Sequence, residues 1–167
     1  TYNMISVDGD TSTNDTVLLL ANGMAGNPEI TEKNADYDAF CQALNAVDKV
    51  LAKKMAGDGE GCTALFEVKV IGAESKEQAV VLSKSVITSN LTKAAIFGHD
   101  ANWGRILCAR GYSGAWFDPD KVALFFESQA GKVPIIQDGV ALDYSEEEAA
   151  RILSQPEVTV VIDVKMG

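Results

Sequence analysis

Three short stretches hold most of the residues able to do chemistry. The first, Val7-Asp8-Gly9-Asp10-Thr11-Ser12-Thr13-Asn14-Asp15-Thr16, packs carboxylates, hydroxyls and an amide between the apolar runs Met4-Ile5-Ser6-Val7 and Val17-Leu18-Leu19-Leu20. A strand that ends in a polar loop and turns into a helix is where α/β proteins often place their chemistry. Capping a helix needs only one or two such residues, so this loop holds more than capping requires. Asp8-Gly9-Asp10-Thr11 fits the hydrophobic-then-DxDxT pattern of haloacid-dehalogenase-like phosphatases, with Asp8 attacking phosphorus and Asp10 as acid/base. The later acidic motif, Gly57-Asp58-Gly59-Glu60, argues against it, because it follows a helix and opens a strand, the reverse of what that chemistry needs. A calcium loop fails too, since Thr13 stands where the turn glycine belongs.

The second stretch is Gly57-Asp58-Gly59-Glu60-Gly61. It lacks the Gly-Lys-Ser/Thr ending of a phosphate loop, and its two carboxylates would repel phosphate. Its plain structural use is a helix terminus with left-handed glycines. Three glycines also let the backbone approach a ligand closely, and a carboxylate held there suits an ammonium group. The third stretch is Asp100-Ala101-Asn102-Trp103-Gly104-Arg105, where Asp100 or Asn102 caps a helix and Trp103 fills a core or interface pocket. Arg105 is suited either to the acidic loops or to a substrate carboxylate. Thr1 has the type of an N-terminal nucleophile, with its own amine as base, but nothing local supports its activation. His99 reads as a solvated loop side chain.

The elements that must position these groups follow from periodicity. A strand is predicted over 4–8 and a helix over about 14–25. Phe40, Leu44, Val47, Leu51 and Met55 share one face of a long helix. A strand over 65–71 turns Glu67 and Lys69 away from Phe66, Val68 and Val70. A helix follows over 75–88, then a short buried strand or turn over 94–98 and a helix over 102–109. A strand pair, 122–127 with 132–137, meets across Gly131. Ser145-Glu146-Glu147-Glu148 is a capping box opening a short helix to Leu153, and 158–164 is a last strand. The pattern is α/β, layered around a mixed sheet, in one unit spanning 1–167.

Composition narrows the function. The net charge of −10 disfavours nucleic acid and anionic membrane surfaces. No apolar run approaches the roughly 20 residues of a membrane span. Cys41, Cys62 and Cys108 are widely spaced and read as reduced, mostly buried thiols of a cytoplasmic protein. Both ends of the chain read as cut within a longer polypeptide.

Taken in order, Thr1-Tyr2-Asn3, the Val7–Asp15 stretch, Asp58-Gly59-Glu60-Gly61-Cys62-Thr63 and Asp100-Ala101-Asn102-Trp103-Gly104-Arg105-Ile106 closely resemble the ornithine acetyltransferase family of arginine biosynthesis. The resemblance covers essentially the whole chain. It implies a layered αββα-type sandwich, made from a precursor that cleaves itself before a threonine into α and β chains. The freed threonine takes acetyl from N-acetylornithine and passes it to glutamate in ping-pong order; some members also accept acetyl from acetyl-CoA. No metal or prosthetic group is implied. The partner is the α chain of the same precursor, in a larger (αβ)n heteromer.

The same resemblance limits what this piece can do. The family's nucleophile lies in an Ala-Thr-Met-Leu segment upstream of the Tyr/Phe-Asn that opens this chain, so Thr1 is not its counterpart. The family's β chain also continues past the last strand into a segment carrying further substrate ligands. The resemblance therefore assigns no catalytic residue here, makes the isolated chain inactive, and carries over Glu60 as the substrate-binding glutamate. Asp8, Asp10, Asn14, Asp58, Asn102 and Arg105 are expected to brace the site. Cys62 stands where the family usually has alanine. The alternatives are a purely assembling role and the phosphatase using Asp8.

Overall fold

Alternation of apolar and polar residues writes one sheet into this chain, and the computed structural model, which describes residues 1–167, builds it from five strands. They are β1 (Leu65–Ile71), β2 (Ala123–Ser128), β3 (Gly131–Gln137), β4 (Val140–Ala141) and β5 (Glu157–Asp163). Their order is β1-β5-β2-β3-β4. β1 runs parallel to β5, with Val68 opposite Val160, and the remaining pairs are antiparallel, with Phe126 opposite Val160 and Val133. The sheet is thus mixed. A bulge between Leu124 and Phe125 places Ile135 out of simple alternation.

Five helices accompany the sheet: α1 (Ala35–Gly57), α2 (Lys76–Ile87), α3 (Asn90–Phe97), α4 (Trp103–Gly111) and α5 (Glu146–Leu153). Each begins on a side-chain cap that accepts a backbone N–H: Asn34, Ser75, Ser89, Asn102 and Ser145. α2 packs on β1, α5 on β2 and β3, and α4 with α3 on α2. The core fills the space between them, with Leu82, Val86, Ile106, Phe126, Ile152 and Ile162 essentially inaccessible. Phe66, Val68 and Val70 face that core, and Glu67 and Lys69 turn away from it, as alternation requires. On that opposite face Lys53 of α1 meets Glu67 at 2.5 Å. No helix is long and apolar enough to cross a membrane.

Several expected elements differ. Residues 4–8 form no strand; a single 3-10 turn, Tyr2–Met4, stands there instead. The helix expected over 14–25 is absent, and residues 7–40 are all exposed. Val17, Leu18, Leu19 and Leu20 are 52–88 % exposed. Four consecutive apolar residues do not make one helical face, and a short helix with nothing to pack on is marginal. Residues 94–98 lie mostly within α3 and its terminus, where His99 takes a left-handed φ of 56° and ends the helix.

The long helix forms where periodicity placed it, but its packing side is rotated from the expected one. Cys41, Leu44, Asp48, Ala52 and Ala56 lie toward the body, while Phe40, Val47 and Leu51 are exposed. The thiols also depart from expectation: Cys62 and Cys108 are exposed and Cys41 half-buried, all free.

Candidate site in the cleft at the Gly-Glu-Gly turn

Helix α1 stops at Gly57, and Asp58 N–H caps it by donating to Met55 O at 3.4 Å. The next turn closes when Cys62 N–H donates to Gly59 O at 3.0 Å. Gly61 sits at φ 67°, a conformation that other residues adopt only with strain. Glu60 is therefore presented at the tip of a tight turn between α1 and β1. Its carboxylate is exposed and takes part in no ion pair or hydrogen bond.

The turn lines a cleft of about 320 Å³. Phe66 from β1, Ile87 from α2 and Ile96 and Phe97 from α3 supply apolar wall, and Ser6, Val7, Thr63 and Lys93 complete it with Glu60. A concave site with mostly apolar walls and few polar groups is the usual form of a small-molecule site. A wider groove of about 840 Å³ lies beside it, lined by Lys53, Lys54, Asp58 and Glu157. Asp58 faces this groove and not the Glu60 cleft.

Residues 1–7 reach the cleft because several polar contacts tie them to the helices. Thr1 Oγ1 meets Asn45 Oδ1 at 3.2 Å, and Tyr2 O–H donates to Asp48 Oδ1 at 3.3 Å. Burial, then the Asp48 carboxylate, pushes the Tyr2 phenol up. Lys84 Nζ donates to Asn3 O and Lys93 Nζ to Val7 O, each at 2.8 Å. Val7 rests against Gly59, where an added Cβ would touch Val7 Cγ1 at 3.9 Å.

The expected bracing residues are not gathered at this cleft. Asp8, Asp10 and Asn14 begin beyond it, exposed and bonded only within their own loop: Asp8 Oδ1 accepts from Asp10 N–H at 2.8 Å, and Ser12 Oγ from Asn14 N–H at 3.1 Å. Asp8 does not follow a strand, so the phosphatase arrangement has no frame, and no three His, Cys, Asp or Glu side chains converge as metal ligands. Asn102 caps α4 by accepting from Arg105 N–H at 3.2 Å and donates to Asp100 Oδ2 at 3.0 Å. Arg105 is exposed and its guanidinium pairs with nothing in this chain. Cys62 lines the cleft and its thiol donates to Ala64 O at 3.4 Å. Sequence reasoning missed Ser6 and Lys93.

The family model for the ArgJ family matches residues 1–167. This chain belongs to the ArgJ family. Among its relatives, the arginine biosynthesis bifunctional protein ArgJ of Thermotoga neapolitana is 48% identical over 99% of this chain. ArgJ 1 of Clostridium acetobutylicum is 52% identical over 99%. These matches cover 42% and 41% of the two relatives, so the chain spans about two fifths of their length. The crystal structure of ArgJ from Bacillus halodurans superposes with a TM-score of 0.90 at 39% identity, over 100% of this chain and 77% of that one. The mixed α/β fold is therefore that of ArgJ. The crystallised ArgJ chain is little more than half as long as the curated ArgJ relatives, since the same residues fill 77% of one and about 41% of the others.

Proposed function

We propose that this chain is the larger part of a β chain in an acetyltransferase that moves acetyl from N-acetylornithine to glutamate. A threonine outside residues 1–167 attacks the acetyl carbonyl carbon through its hydroxyl oxygen. The C–N bond of the acetamide then breaks, the ornithine nitrogen takes up a proton, and an acetyl-threonine ester remains. The amine of glutamate attacks that ester, giving N-acetylglutamate and returning the threonine hydroxyl. Glu60 binds the ammonium group of N-acetylornithine from the glycine turn. The reaction needs no metal or prosthetic group, and the enzyme works in the cytoplasm.

One observation carries this reading: in a chain of the ArgJ family, the Glu60 carboxylate stands at an open cleft with no internal cation to neutralise it. The relatives' shared name places them in arginine biosynthesis and calls them bifunctional. The exposed run Val17–Leu20, with Met24 81 % exposed, favours a second, compatible role. It docks the α chain of the same precursor, within an (αβ)n assembly, because a patch of this kind marks an interaction surface.

The test is acetyl transfer by the complete protein, encoded by the full-length gene, from N-acetylornithine to glutamate, with acetyl-CoA supplied as the alternative donor. Transfer is expected with the complete protein and no turnover with residues 1–167 alone. A complete protein that transfers acetyl from neither donor overturns the reading.

A further inference from the structure

We infer that Lys84 is a positioning residue: it clamps the irregular segment 1–7, whose Ser6 and Val7 form one wall of the cleft, without reaching the cleft itself. Its part in turnover rests on the acetyl-transfer reading above. Residues 1–7 hold a single 3-10 turn, and their backbone hydrogen bonds are both internal: Met4 N–H to Thr1 O and Ile5 N–H to Tyr2 O, each at 3.0 Å. Neither the sheet nor a helix holds the segment through its backbone. Ser6 Oγ is also buried without a protein partner, which costs free energy. The wall stays in place against that cost, so side chains from other elements must hold it.

Four contacts do so, and the two from lysines are the short, charged ones. Thr1 and Tyr2 meet α1 at 3.2 and 3.3 Å, long for hydroxyl donors. Lys84 Nζ donates to Asn3 O and Lys93 Nζ to Val7 O, both at 2.8 Å, and an ionised donor strengthens each bond. Met4, Ile5 and Ser6 are thereby strung between two anchored carbonyls. Lys93 lines the cleft, whereas Lys84 does not. Lys84 is half-buried on α2, makes no ion pair, and lies in sequence between Leu82 and Val86, which are fully inaccessible. Its anchor point is thus part of the core, and Asn3 O is the one protein acceptor of its ammonium.

The experiment uses the complete enzyme as wild type, Lys84→Met and Lys84→Arg. Amide hydrogen exchange is followed in residues 1–7, and KM and kcat are measured for acetyl transfer from N-acetylornithine to glutamate. Met keeps the stem but loses the donors, so exchange at Ile5, Ser6 and Val7 should rise at least tenfold. KM for N-acetylornithine should rise about tenfold with kcat within about twofold, the pattern of lost binding with intact chemistry. Lys84→Arg keeps charge and donors and should hold both readouts near wild type. Equal exchange in wild type and Lys84→Met overturns the inference, and so does faster exchange with an unchanged KM. If Lys84→Met does not fold, Lys84→Arg decides: near-wild-type values uphold the inference, and a tenfold rise in exchange or KM overturns it. A wild type that transfers no acetyl sinks the functional reading alone; protection lost in Lys84→Met and kept in Lys84→Arg still upholds the clamp.

Discussion

Replacing Glu60 with Gln in the complete enzyme is expected to raise KM for N-acetylornithine by about 10- to 100-fold, with a smaller change in kcat. A charge-assisted hydrogen bond is worth about 1.5–3 kcal/mol, and each 1.4 kcal/mol is roughly a factor of ten in binding. Gln keeps the shape and one acceptor oxygen but removes the charge. The fold should not change, because Glu60 contributes no ion pair or hydrogen bond to it and its side chain is exposed. The effect should also weaken in high salt, since an open cleft is partly screened. Steady-state kinetics over both substrates check this, and an unchanged KM would remove Glu60 from the site.

A second large effect is expected far from the cleft. Arg110, in the last turn of α4, is fully inaccessible, and none of its guanidinium nitrogens donates to a protein acceptor. Its one charge partner is the Phe117 ring, 3.5 Å from the guanidinium carbon to the ring centroid. Such a contact offsets about 2 kcal/mol when desolvated, less than the several kcal/mol a buried ion costs. Burial accordingly lowers the Arg110 pKa to about 10. For a base depressed on folding, the cost is fully present below the folded pKa and is relieved only as pH rises from about 10 toward the unfolded value. Arg110→Met keeps an unbranched stem and a sulfur to lie against Phe117. It should stabilise the protein by about 1–4 kcal/mol, equally at pH 6 and pH 8. Urea unfolding at both values measures this; destabilisation by Met would mean the guanidinium is better satisfied than its contacts indicate.

The four longer strands, β1, β2, β3 and β5, formed where alternation and turn residues placed them. Phe66, Val68 and Val70 alternate cleanly with Glu67 and Lys69, and β1 formed with that polarity. The Ser145 cap and Gly131 bend likewise sit where local chemistry dictates them. What the sequence hid depends on partners. The Phe40, Val47, Leu51 stripe of α1 has helical spacing, yet it faces outward while the smaller Ala52 and Ala56 meet the body. Spacing reports that a face is apolar and is silent on what covers it. The run after Asp15 misled for the same reason, since Val17–Leu20 packs on nothing in residues 1–167.

At the candidate site the sequence singled out Glu60 and little of the cleft around it. Glu60 stood out because glycines flank a carboxylate, a local pattern. Lys93 could not, because a lysine in a helix is ordinary until the chain brings Val7 to it from 86 residues away. Asp8, Asp10 and Asn14 were singled out by polar density and by the family resemblance, and within residues 1–167 their hydrogen bonds close turns inside the loop.

The most direct measurement is a crystal structure of the complete enzyme with N-acetylornithine bound. The ligand's ammonium nitrogen should lie about 2.7–3.0 Å from a Glu60 carboxylate oxygen, inside the cleft beside Phe66 and Ile96. An ammonium held by other groups, with Glu60 turned to solvent, would contradict the account.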